Sequence, residues 1–114
     1  MVNSEVLNFK ETLQPGTGDD FSKTVQKDGV ITRVTEHFPP GTNALVDVIV
    51  KHNSTQIVPR DGPISIDDFT ISIDTEVPVK KGDVVTVSID NADDTNAHTI
   101  SVTVQILPRK GGGK

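Results

Sequence analysis

The stretch HTISVTVQIL, residues 98–107, alternates between two kinds of side chain along its whole length. Every second position is apolar except the first, and this set is His98, Ile100, Val102, Val104 and Ile106. The positions between them carry mainly Thr, Ser and Gln. An extended chain points successive side chains to opposite faces. The stretch therefore predicts a half-buried β-strand with a hydroxyl-rich outer face.

The same alternation recurs through the rest of the chain. The clearest further strands are predicted at 67–79 and 83–90, and weaker ones at 5–13, 21–26, 30–36 and 55–59. The segment 43–52, NALVDVIVKH, is apolar on both faces, which predicts a central strand or one that meets a neighbour. No long segment repeats apolar residues at the spacing of a helix.

Turn residues separate these segments. Asp28-Gly29 and Lys81-Gly82-Asp83 are turn signals, and residues 14–20 and 38–43 are Pro/Gly-rich loops. About eight short strands at close spacing predict an all-β chain folded as an antiparallel β-sandwich. Eight strands favour a jelly-roll-like arrangement over a seven-stranded immunoglobulin sandwich.

The predicted organisation has three parts: an N-terminal arm at 1–20, a β-sandwich domain at 21–108 and a flexible basic tail at 109–114. The first part is polar and is interrupted by Pro15, Gly16 and Gly18. Such an extended arm is expected to dock on a neighbouring molecule by strand addition or exchange.

Composition limits the functions that this chain can have. Its 114 residues fit one domain, and its formal net charge of -5 argues against nucleic acid or an anionic membrane as the partner. The absence of Cys excludes disulfides, thiolate nucleophiles and Cys-ligated metals. The N-terminus has no basic start followed by an apolar block, so no signal peptide is expected.

Residues 79–99, VKKGDVVTVSIDNADDTNAHT, contain a Lys-Gly-Asp turn, a strand that ends at Asn91, and His98. This order resembles the cupredoxin pattern, in which a His after the Asn is a copper ligand, and the resemblance implies a Greek-key sandwich. A blue-copper site also needs a Cys and a second His, and usually a Met. The chain has no Cys, no His after His98, and Met1 as its single Met. The resemblance therefore extends to the fold and not to copper.

The best candidates for metal ligands are the carboxylates of the segment DNADDTN and the His that follows it, namely Asp90, Asp93, Asp94 and His98. Clustered carboxylates suggest Ca²⁺, but the EF-hand spacing and its closing Glu are absent. Asp and Asn in a connection more often cap their own turns. The sequence therefore predicts neither a metal nor a cofactor.

Motifs of catalysis are absent from the sequence. There is no nucleophile elbow, phosphate-binding loop or dinucleotide fingerprint. Asp67 and Asp68 are adjacent, so in an extended segment they point to opposite faces and cannot form a glycosidase pair. The chain has no Trp or Tyr, the usual platforms for sugar rings. These observations predict a protein that is not an enzyme.

In size, composition and layout the chain resembles the capsid decoration (cement) proteins of tailed viruses. The resemblance implies a structural protein at the virion surface, homo-oligomeric, which binds itself or a capsid protein. The apolar residues expected at its interfaces are Leu7, Phe9, Leu13, Phe38, Leu45, Val46 and Val48. The alternatives are a small ligand- or metal-binding sandwich, or a subunit of an extracellular filament or surface layer.

Overall fold

The computed structural model describes residues 4–60 and 62–108, which form eight β-strands. The strands are β1 (Glu5–Leu13), β2 (Gly18–Thr24), β3 (Gly29–Phe38), β4 (Val46–His52), β5 (Thr55–Val58), β6 (Phe69–Val79), β7 (Val84–Asn91) and β8 (His98–Pro108). No helix in this part of the chain is long and apolar enough to cross a membrane. The predicted tail at 109–114 lies outside the described residues.

The strands form two antiparallel sheets of four, which pack face to face. The first sheet has the order β1-β8-β3-β6, and the second has the order β2-β7-β4-β5. Of the six strand pairings, only β4–β5 joins strands that are consecutive in the chain. This interleaved order is that of a jelly roll. The predicted all-β sandwich of about eight strands is therefore confirmed.

The core lies between the two sheets and follows the alternation of the sequence. In β8, Ile100, Val102, Val104 and Ile106 are at most 1% exposed. The second sheet opposes them with the buried valines of β4 and β7, which are Val46, Val48, Val50, Val85 and Val87. Burial of such side chains stabilises the fold by about 25 cal/mol per Å² of apolar surface.

The N-terminal segment differs from the predicted arm. Residues 5–13 form β1, which pairs with β8 of the same chain over nine residue pairs. Leu7, Phe9 and Leu13 are buried in the core, because their period of two matches the inner face of the first sheet. The predicted boundary between residues 20 and 21 lies inside β2. The arm is thus an integral edge strand of the sandwich.

Two glycines allow close contacts that other residues would disturb. A Cβ atom on Gly29, the first residue of β3, would lie 2.4 Å from the carbonyl oxygen of Leu107. Gly82 has a φ of 96° in the turn between β6 and β7, a left-handed conformation that favours glycine. The predicted turn at Lys81-Gly82-Asp83 is present, and Asp83 accepts a hydrogen bond from the backbone N–H of Lys80 (2.9 Å).

The outer face of the first sheet carries pairs of polar side chains that bond to each other across strands. The hydroxyls of Thr12 on β1 and Thr99 on β8 lie 2.7 Å apart. On the same face, the hydroxyls of Thr35 on β3 and Ser72 on β6 lie 3.0 Å apart. This face confirms the hydroxyl-rich outer surface predicted for β8 and extends it over neighbouring strands.

One inward position of β3 carries a carboxyl group. Glu36 has no exposed surface, and neither of its carboxyl oxygens has a hydrogen-bond partner among the described residues. Its cross-strand neighbours are Ile71 on β6 and Val102 on β8. Burial in this apolar setting raises the pKa of Glu36 from 4.5 to about 8, because desolvation disfavours the charged form.

Candidate functional site

Four connections meet at one end of the sandwich, and we call it the acidic end (residues 14–20, 39–47, 62–70 and 88–100). Backbone bonds hold it together: Gly16 N–H donates to the carbonyl of Asp93 (2.9 Å), and Ala92 N–H donates to that of Leu45 (2.8 Å). These four segments contain eight Asp and neither Lys nor Arg. The topology thus collects at one end carboxylates that are dispersed along the sequence.

Asp93 and His98 form a buried pair in the connection between β7 and β8. His98 Nε2–H donates to Asp93 Oδ2 at 2.8 Å, and both residues are buried. The same carboxylate accepts the backbone N–H groups of Thr95 (2.9 Å) and Asn96 (3.2 Å). These bonds, that from His98 foremost, lower the pKa of Asp93 to about 2. The pair closes its own turn, as predicted for Asx side chains.

Asn91, at the end of β7, ties neighbouring connections together. It has no exposed surface, and its side-chain amide donates to the carbonyls of Leu13 (3.0 Å) and Asn96 (3.0 Å). Its side-chain oxygen accepts the backbone N–H of Asp93 (3.0 Å). One side chain thus links the end of β1 to the connection between β7 and β8. Its role in the fold is structural.

A second carboxylate holds the connection between β3 and β4. Asp67 Oδ1 accepts the backbone N–H groups of Asn43 (2.9 Å) and Gly41 (3.0 Å). The bond from Asn43 is the largest of the effects that lower the pKa of Asp67. Asn43 and Ala44 are both left-handed, with φ of 50° and 60°. The side chain of Leu45, which follows them, is 40% exposed.

An open groove of about 500 Å³ lies beside this end, on the outer face of the second sheet. Four carboxylates line it, from Asp19, Asp20, Asp47 and Asp90. Ser65 donates a hydrogen bond to Asp47. The groove offers negative charge to a cationic group of a ligand or of a neighbouring protein.

The predicted metal candidates divide between these features. Asp93 and His98 bond to each other, Asp94 accepts a bond from the Thr95 hydroxyl (2.9 Å), and Asp90 lines the groove. Within residues 4–60 and 62–108, no three His, Asp or Glu side chains are grouped so that they could hold a metal ion.

The predicted interface residues are placed mainly in the core. Six of the seven are buried between the sheets: Leu7, Phe9, Leu13, Phe38, Val46 and Val48. Surfaces that face the chain's own core cannot also contact another molecule in this fold. Leu45 alone of the set is exposed. The segment 43–52 is apolar on both faces because β4 is a central strand, with its outward Ile49 lining the groove beside Pro63.

Other exposed apolar residues were not predicted from the sequence. Phe69, the first residue of β6, is 59% exposed, although it lies opposite the buried Phe38. Val6 and Leu107 are 47% and 39% exposed on the outer face of the first sheet. Val6 and Leu107 occupy the positions that alternate with the buried residues of β1 and β8. The alternation of the sequence could therefore have identified them as exposed.

No protein-family model and no curated protein matches the sequence. Solved structures share the fold at low identity. A chain in the acidic stable capsid of Helicobacter pylori bacteriophage KHP30 has a TM-score of 0.57 and 12% identity, with 96% of this chain and 95% of that chain covered. FLHE has a TM-score of 0.53 and 14% identity, with coverages of 93% and 97%. The Yersinia pseudotuberculosis-derived mitogen has a TM-score of 0.51 and 15% identity, with coverages of 95% and 91%. These likenesses show a shared two-sheet β fold.

Proposed function

We propose that this chain is a non-enzymatic structural protein that binds protein neighbours in a larger assembly, as a decoration or stabilising protein at the surface of a virus capsid. The observation that carries the proposal is the likeness to the KHP30 capsid chain. That match spans 96% of this chain and 95% of the other, so a chain of nearly the same size and fold is present in an assembled particle.

The use of ionisable side chains is consistent with a structural role. Asp67, Asp83 and Asp93 each accept more than one hydrogen bond at the ends of the sandwich, and at least one of these bonds comes from a connection. These bonds stabilise the connections that carry the exposed surface. A protein that presents a fixed surface to its neighbours benefits from such rigid connections, because less conformational entropy is lost on binding.

The expected contact surface is the acidic end with its exposed apolar side chains. Leu45 and Phe69 offer exposed apolar surface there, and the carboxylates of the same end can supply the polar part of an interface. These exposed residues take the place of the six predicted interface residues that are buried in the core.

The test is sedimentation of particles from the producing culture through a density gradient, with the chain detected by antibody. We expect the chain in the particle fraction, and the double variant Leu45→Asp/Phe69→Asp in the soluble fraction. Lys10→Ala, at an exposed position of β1, is the control and should sediment with particles. Recovery of the unaltered chain only in the soluble fraction would refute the proposal.

A second candidate function is a small sandwich that binds a cationic ligand, and the groove lined by four Asp favours it. A ligand that binds only the folded chain raises its melting temperature. We would titrate Ca²⁺, Mg²⁺ and spermidine against the melting temperature and compare the chain with Asp47→Asn/Asp90→Asn. A shift that the double variant abolishes would support this function, and the absence of any shift would exclude these ligands.

A further inference from the structure

The opposite end of the sandwich carries the opposite charge, and we call it the basic end (residues 23–28, 51–54 and 80–83). Backbone bonds join its connections: Gly82 N–H donates to the carbonyl of Val25 (2.9 Å), and Asn53 N–H donates to that of Val84 (2.7 Å). Its segments contain five Lys, which are Lys23, Lys27, Lys51, Lys80 and Lys81. They contain two Asp and no Glu.

The carboxylates at this end, Asp28, Asp83 and that of Glu5 from the start of β1, are committed to its connections. Glu5 Oε2 accepts the backbone N–H of Gln26 (2.9 Å). Asp28 Oδ1 accepts the backbone N–H of Lys81 (2.9 Å). Asp83 Oδ2 accepts the backbone N–H of Lys80 (2.9 Å) and the ring Nε2–H of His52 (2.8 Å). The ion pairs of the described residues, Arg33–Asp74 and two His–Asp pairs, include no Lys. The ammonium groups of Lys80 and Lys81, which are exposed residues, therefore remain for another molecule.

Exposed apolar side chains are also divided between the two ends. Leu45 and Phe69 belong to the acidic end. Val6 and Leu107 lie towards the basic end, where Leu107 is opposite Val30 near the start of β3. These four are the large hydrophobic side chains exposed in the described part of the chain. Apolar surface thus lies at the acidic end and, on the outer face of the first sheet, close to the basic end.

We propose that the acidic end of one copy of this chain binds the basic end of a second copy, head to tail. The inference rests on the proposed structural function and names the neighbour as the chain itself. Carboxylates such as those of Asp90 and Asp94 would face the ammonium groups of Lys80 and Lys81. The two ends differ, so every contact leaves one acidic and one basic end free, and the assembly grows into a ring or an open chain.

The shape of the molecule sets the strength of this contact. The chain measures 52 × 23 × 22 Å, so an end face offers roughly 500 Å² per copy. Two such faces bury roughly 1,000 Å² in total, which is about the lower limit for a specific interface. A contact of this size that depends on exposed charges is weak and is screened by salt. Association should therefore be seen at high protein concentration and low ionic strength.

The test is sedimentation velocity of the full chain over a concentration series at ionic strengths of about 0.02 M and about 0.5 M. We expect reversible oligomers at low salt and monomers at high salt. The variant Asp90→Lys/Asp94→Lys places two ammonium groups opposite Lys80 and Lys81 of the next copy, and Lys80→Glu/Lys81→Glu places two carboxylates opposite Asp90 and Asp94. Each variant alone should have a dissociation constant raised about tenfold or more, because like charges then meet.

Mixing the two variants is the decisive measurement. The unaltered basic end of the first variant matches the unaltered acidic end of the second, so the mixture should form hetero-oligomers although neither variant self-associates. Single reversals at mid-sheet positions, Lys10→Glu and Glu76→Lys, should leave association unchanged. Far-UV circular dichroism and urea denaturation confirm that each variant is folded.

Three results would overturn the inference: a monomeric unaltered chain at low salt, association that the end reversals do not change, and a mixture that stays monomeric. Failure of this contact and failure of the proposed function are distinguishable. A chain that sediments with particles but does not self-associate would retain the structural role and lose the head-to-tail contact. A chain that self-associates but is absent from particles would retain the contact and lose the capsid role.

Discussion

Glu36 carries a carboxyl group, which is normally found at the protein surface, but its side chain lies in the apolar core. Its pKa is 4.5 in an ordinary setting and about 8 in the fold. Between these values the folded chain holds a proton that the unfolded chain has lost. The free energy of unfolding therefore falls as pH rises, by up to about 1.4 kcal/mol per pH unit. The stability is fully present below pH 4.5 and the loss is complete above about 8.

Glu36→Gln should remove most of this pH dependence, since the amide does not ionise. We would measure urea denaturation by far-UV circular dichroism from pH 5 to pH 8. The unaltered chain should become less stable across this range, and the variant should change far less. The control is Glu76→Gln, at an exposed position of β6, which should keep the slope of the unaltered chain. Equal slopes for Glu36→Gln and the unaltered chain would contradict the prediction.

The contribution of Asp93 to stability depends on pH in the opposite direction and changes over a lower pH range. Its pKa is lowered from 3.8 to about 2, so its contribution is present above 3.8 and is lost as pH falls towards 2. Asp93 and Glu36 together therefore place the greatest stability at acidic pH, above the range in which Asp93 is protonated and below the range in which Glu36 destabilises the fold.

At the scale of the elements, β1 is the strand whose role the structure changes most. It closes one edge of the first sheet and buries Phe9, which is 2% exposed. Phe9→Ala should lower the free energy of unfolding by about 3–5 kcal/mol, because it leaves a cavity in the core. The measurement is urea denaturation of the monomer. Total stabilities of small domains are about 5–15 kcal/mol, so the effect is large.

The matched control for this prediction is Lys10→Ala, the next residue of β1, which is exposed and should change stability by less than about 0.5 kcal/mol. If β1 were an arm that docks only on a neighbour, both variants would leave the monomer equally stable. That result would contradict the assignment of β1 to the sandwich.

The edges of the sheets carry features that oppose uncontrolled strand pairing. β6 forms the far edge of the first sheet and contains Pro78, which has no N–H to donate. β2 forms an edge of the second sheet and carries Lys23, whose ammonium lies 5.6 Å from the centre of the Phe9 ring. Proline and charge on edge strands limit edge-to-edge association. Pairing through β6 and β2 is therefore disfavoured.

For the whole molecule, the order of the strands determines how fast the chain can fold. Only β4–β5 joins consecutive strands, and β1 must find β8 at the other end of the chain. Such distant pairings have a high entropic cost of loop closure, so refolding should take on the order of milliseconds to seconds. The chain lacks Trp and Tyr, so stopped-flow far-UV circular dichroism is the suitable measurement. Refolding in microseconds would contradict this prediction.

The fold was largely predictable because the alternation of β8 fixes which side chains face inward. The same alternation does not fix which strand lies beside which. The alternation therefore predicts a strand at residues 5–13 but does not show that its partner is β8 of the same chain. Leu45 and Val46 show the same limit, because they are adjacent in the sequence while the first is exposed and the second is buried.

The acidic and basic ends could not be predicted, since each is assembled from connections far apart in the sequence. Asp67 and Asn43 contact each other only because the connection before β6 lies beside the one after β3. The pair Asp93–His98 is local, and its residues were identified, but as metal candidates. The burial of Glu36 cannot be predicted from the sequence, since its place in the alternation of β3 indicates burial only when the inner face of the sheet is known.

The hydroxyl pairs on the outer face of the first sheet have an evolutionary consequence. Thr12 and Thr99 are separated by 87 residues, yet each supplies the partner of the other's hydroxyl. Replacement of one leaves the other without that bond, so a change at one position favours a compensating change at the second. Thr35 and Ser72 are coupled in the same way. In diverging relatives these positions should covary, and the covariation would record the strand order of the first sheet in sequence data alone.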